Sequence, residues 1–353
     1  MNDHNNSFLA VLSKTSVKRI PIYCTGYPKP PFISNYCEMY NIPRKSNDLR
    51  LMDNNYSVIQ RIGFDAISIW DFRRSPGGYY INDNQYVDGW GRIYRNNWYS
   101  WNGVFKSQVV IDNWKYLKLP SSKDLKLLQI ALKGFKKLNL IAVLSLPGLF
   151  EKTWQSMGFV YFSQCLRKGQ FSLLETIIEF FFNYTLRLLK ILQQYNIDIF
   201  IIADDLGYKN RVFIKETLWR RLFFSKYQAI IQQAHQKHDK NGSIILHSDG
   251  DITTMMDVFI ELGFDAIQSL EPDAGVDIFT LLKKYANDIT FIGNVSNTLL
   301  SFGTPEDVKR YMTKLISTAK QYNASLIISP TQQIDSAIKL ENIKTLLTSN
   351  EVR

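Results

Sequence analysis

Cysteine is scarce. Cys24, Cys37 and Cys165 are the only three in 353 residues, too few and too scattered for a disulfide framework or an all-cysteine metal site. A reducing, cytoplasmic setting is the expectation. Long apolar runs are missing as well, since no stretch reaches the roughly 18 uninterrupted apolar residues of a membrane-spanning helix. The opening MNDHNNSFLAVLSKTS lacks the basic start and apolar core of a secretory signal. Neither export nor a membrane contact is expected. No internal repeat or low-complexity tract disturbs the chain.

Apolar residues make up 45% and aromatic residues 14% of the composition, enough to build an ordered interior whose burial offsets chain entropy. Lysine and arginine outnumber aspartate and glutamate by 42 to 32, a formal net charge of +10. The excess is spread over single residues and short pairs such as Lys136-Lys137 and Lys283-Lys284. No nucleic-acid recognition module accompanies it, so the surplus reads as a solvated face or a site for an anionic ligand, and no nucleic-acid partner is expected.

Eight short β-favouring runs recur along the chain: RIPIYC (19–24), FDAISIW (64–70), LIAVLSL (140–146), IDIFIIA (197–203), SIILH (243–247), FDAIQSL (264–270), ITFIGNV (289–295) and ASLIISP (324–330). Amphipathic stretches of helical length lie between them, among them 173–195, 213–238 and 304–322. In the last, Thr304 suits a helix cap, Pro305 the first turn and Asp307 the capping-box position. Repeated βα units of this number predict an α/β fold, a (β/α)8 barrel occupying residues 1–353 with an N-terminal extension. A doubly wound open sheet has the same alternation, because periodicity does not report closure. Residues 79–118 break the rhythm. Crowded with Tyr, Trp, Gly and Asn, they predict an irregular insertion or a β-hairpin cap, in which Trp90, Trp98 and Trp101 either line a ligand mouth or pack the insertion onto the barrel.

The ends of the central and C-terminal runs are polar. In ILHSDGD (245–251) strand alternation puts His247 and Asp249 on one side, and Gly250 permits a tight turn. An imidazole beside a carboxylate can bind a divalent metal or exchange a proton, and the same residues also suit a hydrogen-bond network without chemistry. Asp204 and Asp205 follow the fourth run. Only one of two adjacent side chains should face a pocket, and Asp204 is equally suited to cap backbone N–H groups. Gln268, Glu271 and Asn294 close the sixth and seventh runs, while the eighth ends in Thr331, Gln332 and Gln333, hydroxyls and amides that are weak metal ligands.

Read in order, DGWGRIY (88–94), ADDLGYKN (203–210), ILHSDGDI (245–252), LEPDAGVD, FIGNVS, FGTPEDV and IISPTQQI resemble the uroporphyrinogen decarboxylase superfamily, which includes cobamide-dependent methyltransferases. The resemblance implies a barrel with its pocket at the C-terminal mouth, and a homodimer. The decarboxylases carry an arginine-bearing loop near the N-terminus that handles the acidic arms of a tetrapyrrole. The matching place here, residues 23–30, has no arginine, and Lys29 is no equivalent. The zinc methyltransferases of the superfamily carry His-x-Cys and a distal Cys. This chain has Asp249 at the first cysteine position and no cysteine near residues 331–333.

The resemblance implies transfer of a methyl group between a corrinoid carried by a partner protein and a small acceptor, assisted by zinc on His247 and Asp249 with Glu271, or Asp205, as a further carboxylate. Asp205, His247, Asp249 and Glu271 would be the catalytic residues. Asp204, Tyr208, Gln268, Asn294, Gln332 and Trp90 would contact the small-molecule substrate, and no nucleotide cofactor is expected. Two alternatives stand beside it: a metal-independent decarboxylase acting on a substrate other than uroporphyrinogen, and a non-catalytic barrel that binds a ligand or partner.

Overall fold

Each of the eight predicted runs contains a strand, and the strands lie side by side in chain order. The computed structural model describes residues 3–42, 56–70, 72, 77–195, 197, 199–236 and 242–349. Strands β1 (Tyr23–Cys24) and β2 (Ala66–Ile69) come first. After them β3 (Gly78–Asn82), β4 (Gln85–Asp88), β5 (Arg92–Arg95) and β6 (Trp98–Gly103) form a separate antiparallel sheet. The main sheet resumes with β7 (Ile141–Pro147) and β8 (Ile199–Ala203). The strands β9 (Gly207–Tyr208) and β10 (Arg211–Val212) make a small hairpin, and β11 (Ser243–Ser248), β12 (Ala266–Ser269), β13 (Thr290–Val295) and β14 (Leu326–Pro330) complete the set.

The main sheet runs β1-β2-β7-β8-β11-β12-β13-β14 with parallel neighbours throughout. A parallel bridge between Ile22 and Ile328 joins its two edges, with the Ile328 N–H donating to the Pro21 carbonyl at 3.0 Å. The sheet is therefore a barrel and not an open doubly wound sheet, the point that periodicity had left undecided.

Two cores hold it. Inward-facing side chains, among them Tyr23, Ala66, Val143, Ile199, Ile245, Ala266, Ile292 and Ile327, fill the barrel. The N-terminal helix Asp3–Leu12 adds Phe8, Val11 and Leu12 to that filling and so plugs one end. Thr290 donates through Oγ1 to the Val11 carbonyl, and the Lys14 ammonium donates to the Asn287 and Asp288 carbonyls. The outward-facing residues of the same strands pack against the outer helices in a second, larger core.

The helix Pro305–Gln321 begins with the capping box read from Thr304 and Asp307. The amphipathic stretch 213–238 turns helical only at Glu216, because the preceding Arg211–Val212 segment is extended against Gly207–Tyr208. The aromatic stretch after residue 78 is more regular than an irregular insertion. Its four strands carry a cross-strand tyrosine ladder, Tyr80 on Tyr86, Tyr86 on Tyr94 and Tyr94 on Tyr99, with ring centroids 5.4–6.0 Å apart, the kind of pairing that stabilises antiparallel strands. Among the described residues no helix is long and apolar enough to cross a membrane.

One five-residue stretch, too short to be a structural repeat, occurs twice with one job. Gly-Phe-Asp-Ala-Ile occurs at residues 63–67 and 263–267, leading into β2 and β12. In each, the aspartate accepts the backbone N–H of the preceding barrel strand: Ile22 to Asp65 and Ile244 to Asp265, both at 2.7 Å. Each also meets a cationic side chain, Arg19 for Asp65 and His235 for Asp265. These aspartates tie strand entries together at the end of the barrel away from the polar mouth.

Candidate metal centre at the barrel mouth

Strand β11 delivers His247 to the mouth, and the turn after it delivers Asp249. Asp205 comes from the end of β8, the neighbouring strand, whose Ala203 pairs in register with His247. One ligand-type atom from each of the three lies within 4.8 Å of the others. His247 Nε2 stands 3.7 Å from an Oδ1 of both Asp205 and Asp249. The backbone supports this placement. The Asp249 N–H donates to Asp205 Oδ1 at 3.0 Å, and the Leu206 N–H donates to the buried Ser248 hydroxyl at 2.9 Å.

Gly250 makes the turn possible. It has φ +82°, and a Cβ there would fall 2.3–2.4 Å from backbone atoms of Gly207 and Tyr208. A side chain would push the β9–β10 hairpin off the turn.

The imidazole is fixed by Gln268. That amide nitrogen reaches Thr25 Oγ1 at 3.1 Å and the Thr331 carbonyl at 3.4 Å. A carbonyl only accepts, so the amide oxygen must face His247 Nδ1, with which it makes a short hydrogen bond. Nδ1 therefore carries the proton, and in the neutral ring Nε2 turns a lone pair toward the two aspartates.

Electrostatics follow from the crowding. Burial opposes a charged imidazole, but Asp249 and Asp205, helped by the Gln268 bond, outweigh it and hold the His247 pKa above its usual value. Burial pushes the Asp249 carboxyl up to about 7; His247 lowers it, and Asp205 and Glu271 raise it further. Asp249 Oδ1 is buried and has no hydrogen-bond donor among the described residues. Such an acceptor is costly unless something positive occupies it.

Glu271 stands beside the cluster rather than in it. Its Oε2 accepts the Gly250 N–H at 2.7 Å and its Oε1 accepts from Gln332 Nε2 at 2.8 Å. It thus braces the turn that presents Asp249. The three groups that converge are Asp205, His247 and Asp249; the sequence reading had left the further carboxylate open between Glu271 and Asp205.

Asp204 is fully buried and directed elsewhere. Gly148 has no side chain to cap the helix Leu149–Met157, and the Asp204 carboxylate takes over, accepting the Phe150 and Glu151 N–H groups at 3.2 and 2.6 Å. Tyr227 donates to the same carboxylate and accepts the Leu149 N–H at 2.9 Å. Burial pushes the Asp204 carboxyl up to about 7, against these hydrogen bonds.

Asn294 is also fully buried. Its amide donates to the Leu270 carbonyl at 2.8 Å and accepts from Tyr311 on the outer helix Pro305–Gln321. Tyr208 lies exposed on the hairpin, its ring against Phe213 and beneath the Arg211 guanidinium.

Trp90 is buried and lines a cavity of about 200 Å³ together with Trp70, Phe72, Ser145, Lys152 and Ala203. The edge of that cavity borders the Asp205, His247 and Asp249 cluster, since the Trp70 ring meets the His247 ring at 5.0 Å. Trp98 is exposed, and Trp101 stacks on Trp154 at 5.4 Å. Trp70, Glu151 and Lys152 are the site neighbours that the sequence reading did not single out. Trp70 closes a predicted strand run, a position that could have drawn attention, whereas the helix carrying Glu151 and Lys152 offers no comparable signal.

A family model described as uroporphyrinogen decarboxylase matches residues 154–351. The chain belongs to this family. The match spans five of the eight barrel strands, including those that supply Asp205, His247 and Asp249. Among solved structures, a methyltransferase from Methanosarcina mazei is 16% identical over 98% of each chain, with a TM-score of 0.71, a likeness in fold. A putative vitamin-B12 independent methionine synthase from Listeria monocytogenes is 12% identical over 96% of this chain and all of its own, with a TM-score of 0.46. No curated protein sequence matches the chain.

Proposed function

We propose that this barrel is a metal-dependent enzyme that moves a methyl group between a corrinoid-bound carrier and a small acceptor. The observation that carries the proposal is the convergence of Asp205, the Nε2 lone pair of His247 and the undonated, buried Oδ1 of Asp249. The donor set fits zinc. Donors of a tetrahedral zinc site stand roughly 3.4 Å apart; the two 3.7 Å separations from His247 are close to that, the three donors together lie within 4.8 Å and would draw in around an ion, and a nitrogen with two carboxylates leaves a position for an acceptor sulfur or oxygen. The methyltransferase of the same fold lends the reaction class.

In this reading Asp205, His247 and Asp249 hold the ion, which would lower the pKa of the acceptor thiol or hydroxyl bound to it. Gln268 keeps the Nε2 lone pair free by taking the Nδ1 proton in a hydrogen bond. Glu271, held by Gln332 and the Gly250 N–H, keeps Asp249 at the cluster. Trp70 covers the imidazole and keeps water from one side of it.

Zinc content and methyl transfer from methylcobalamin to 2-mercaptoethanol, followed by cobalamin absorbance, test the proposal together. Wild type should retain zinc after dialysis and lose turnover on chelation. Asp249→Ala should lower zinc affinity by at least about 100-fold, given that partners one shell removed already cost 10–100-fold. Unchanged zinc content in that variant removes Asp249 from the metal centre.

A second reading has its own support. An Asp249 carboxyl near 7 beside His247 is a proton-exchanging pair suited to metal-free decarboxylation of a small acid. Full activity after chelation would favour it.

A further inference from the structure

We infer that the cavity beside the metal cluster receives a small aromatic carboxylate, and that Lys152 recognises its anionic group. The inference rests on the proposed reaction site and names the class of molecule that would be presented to it.

Three aromatic side chains, Trp70, Phe72 and Trp90, wall the cavity, with Pro147 and Leu188 adding apolar surface. Flat rings favour a flat ligand, which can stack or meet them edge to face. Size sets the limit. An apolar cavity of ~150 Å³ accommodates benzene, so about 200 Å³ suits one ring and a small substituent.

The polar lining is sparse and one-sided. Ser145 and Lys152 face the space. The Lys152 side chain is only 12% exposed, yet among the described residues its ammonium makes just two polar contacts, both long, to Glu151 Oε2 at 3.4 Å and Gln155 Oε1 at 3.3 Å, besides lying 5.7 Å from the centre of the Trp90 ring. Charge-assisted hydrogen bonds are ordinarily about 2.7–2.9 Å, and an ammonium has three donors. The two neighbours are themselves engaged: Gln155 donates to Glu151, and Arg92 donates to Gln155 at 3.2 Å. A mostly buried cation held this loosely at the wall of an aromatic cavity matches a ligand that brings its own carboxylate. Trp70 joins the two halves, lining the cavity and touching His247. A ring with its carboxylate at Lys152 would then lie against the Trp70 that touches His247.

Calorimetric titration of the whole protein with benzoate, benzylamine and benzyl alcohol, with zinc measured on each sample, decides the matter. Benzoate should bind more tightly than the other two. Lys152→Gln should weaken it at least tenfold without changing zinc content, and Lys152→Arg should restore part of the loss. Equal binding of benzylamine, or unchanged benzoate binding in Lys152→Gln, overturns the inference. Zinc retention without benzoate binding sinks the inference and leaves the metal reading standing. Benzoate binding in a protein that takes up no zinc sinks the metal reading and supports the cavity assignment.

Discussion

Strand β11 has a histidine and an aspartate near each of its ends, and the two pairs are arranged differently. At its start, His235 Nε2 meets Asp265 Oδ2 at 3.0 Å, and that same oxygen accepts the Ile244 N–H at 2.7 Å. At its finish, His247 stands 3.7 Å from two carboxylates, and one Asp249 oxygen receives no hydrogen bond from the described residues. The first pair is closed by direct bonds and works as a clasp between strands. The second holds charged groups near each other without joining them. Residue types are the same at both ends, so it is the unspent acceptor that separates a candidate site from a structural contact.

Two substitutions test this contrast. Gln268→Leu removes the partner of Nδ1 and frees the ring to adopt the other tautomer. Zinc affinity should fall by about 10–100-fold, read by competition with a chromogenic chelator. Asp265→Asn, at the opposite end, should leave that affinity unchanged, and a comparable fall would erase the distinction.

A smaller effect is expected beside the cluster. Tyr227→Phe strips a hydroxyl from both Asp204 and the Leu149 N–H and should cost about 1–3 kcal/mol of stability in denaturant unfolding, with zinc content intact. Asp204 also carries a pH signature. Its carboxyl is raised by burial from 3.8 to about 7, so between those values the folded protein holds a proton that the unfolded chain releases. Its contribution to stability therefore declines as pH rises through that window. Asp204→Asn should flatten that part of the profile, and an unaltered slope would show that the proton sits elsewhere.

The smallest change belongs to the clasp itself. Asp265→Asn should cost about 1 kcal/mol, concentrated at acid pH. The hydrogen bond to Asp265 raises the His235 pKa, against the opposing effect of burial. The pair's stabilisation is therefore present in full below the ordinary histidine value of 6.5 and fades as pH climbs past the raised one. Thermal midpoints at about pH 5.5 and about pH 8 should differ less in the variant than in wild type.

Much of this architecture was legible before any coordinates. Eight apolar runs and the helices between them located every barrel strand, because burial on both faces leaves a continuous apolar signature. Alternation put His247 and Asp249 on one side. Alternation gives relative facing and not absolute facing, which is why Asp204 and Asp205 could not be told apart, and why Asn294 gave no sign that Tyr311 on an outer helix would engage it. Closure depended on a bridge between residues 306 positions apart, Ile22 and Ile328, which no local pattern reports. Lys152 was invisible for a related reason: its surroundings come from β7, its own helix and Trp90 of the antiparallel sheet, three segments that meet only in the folded chain.

The bare backbone at Gly250 has a consequence for the reach of the cluster. Asp205 sits just before the hairpin and Asp249 just before the turn, so the spacing between these carboxylates is set where two main chains touch, with no side chain between them as a shim. A methyl group at residue 250 would act as a wedge at that contact and spread the jaws that carry the two acids, without altering a single ligand. The gauge of the mouth, and with it the separation of the two acids, is written in an atom that residue 250 does not have.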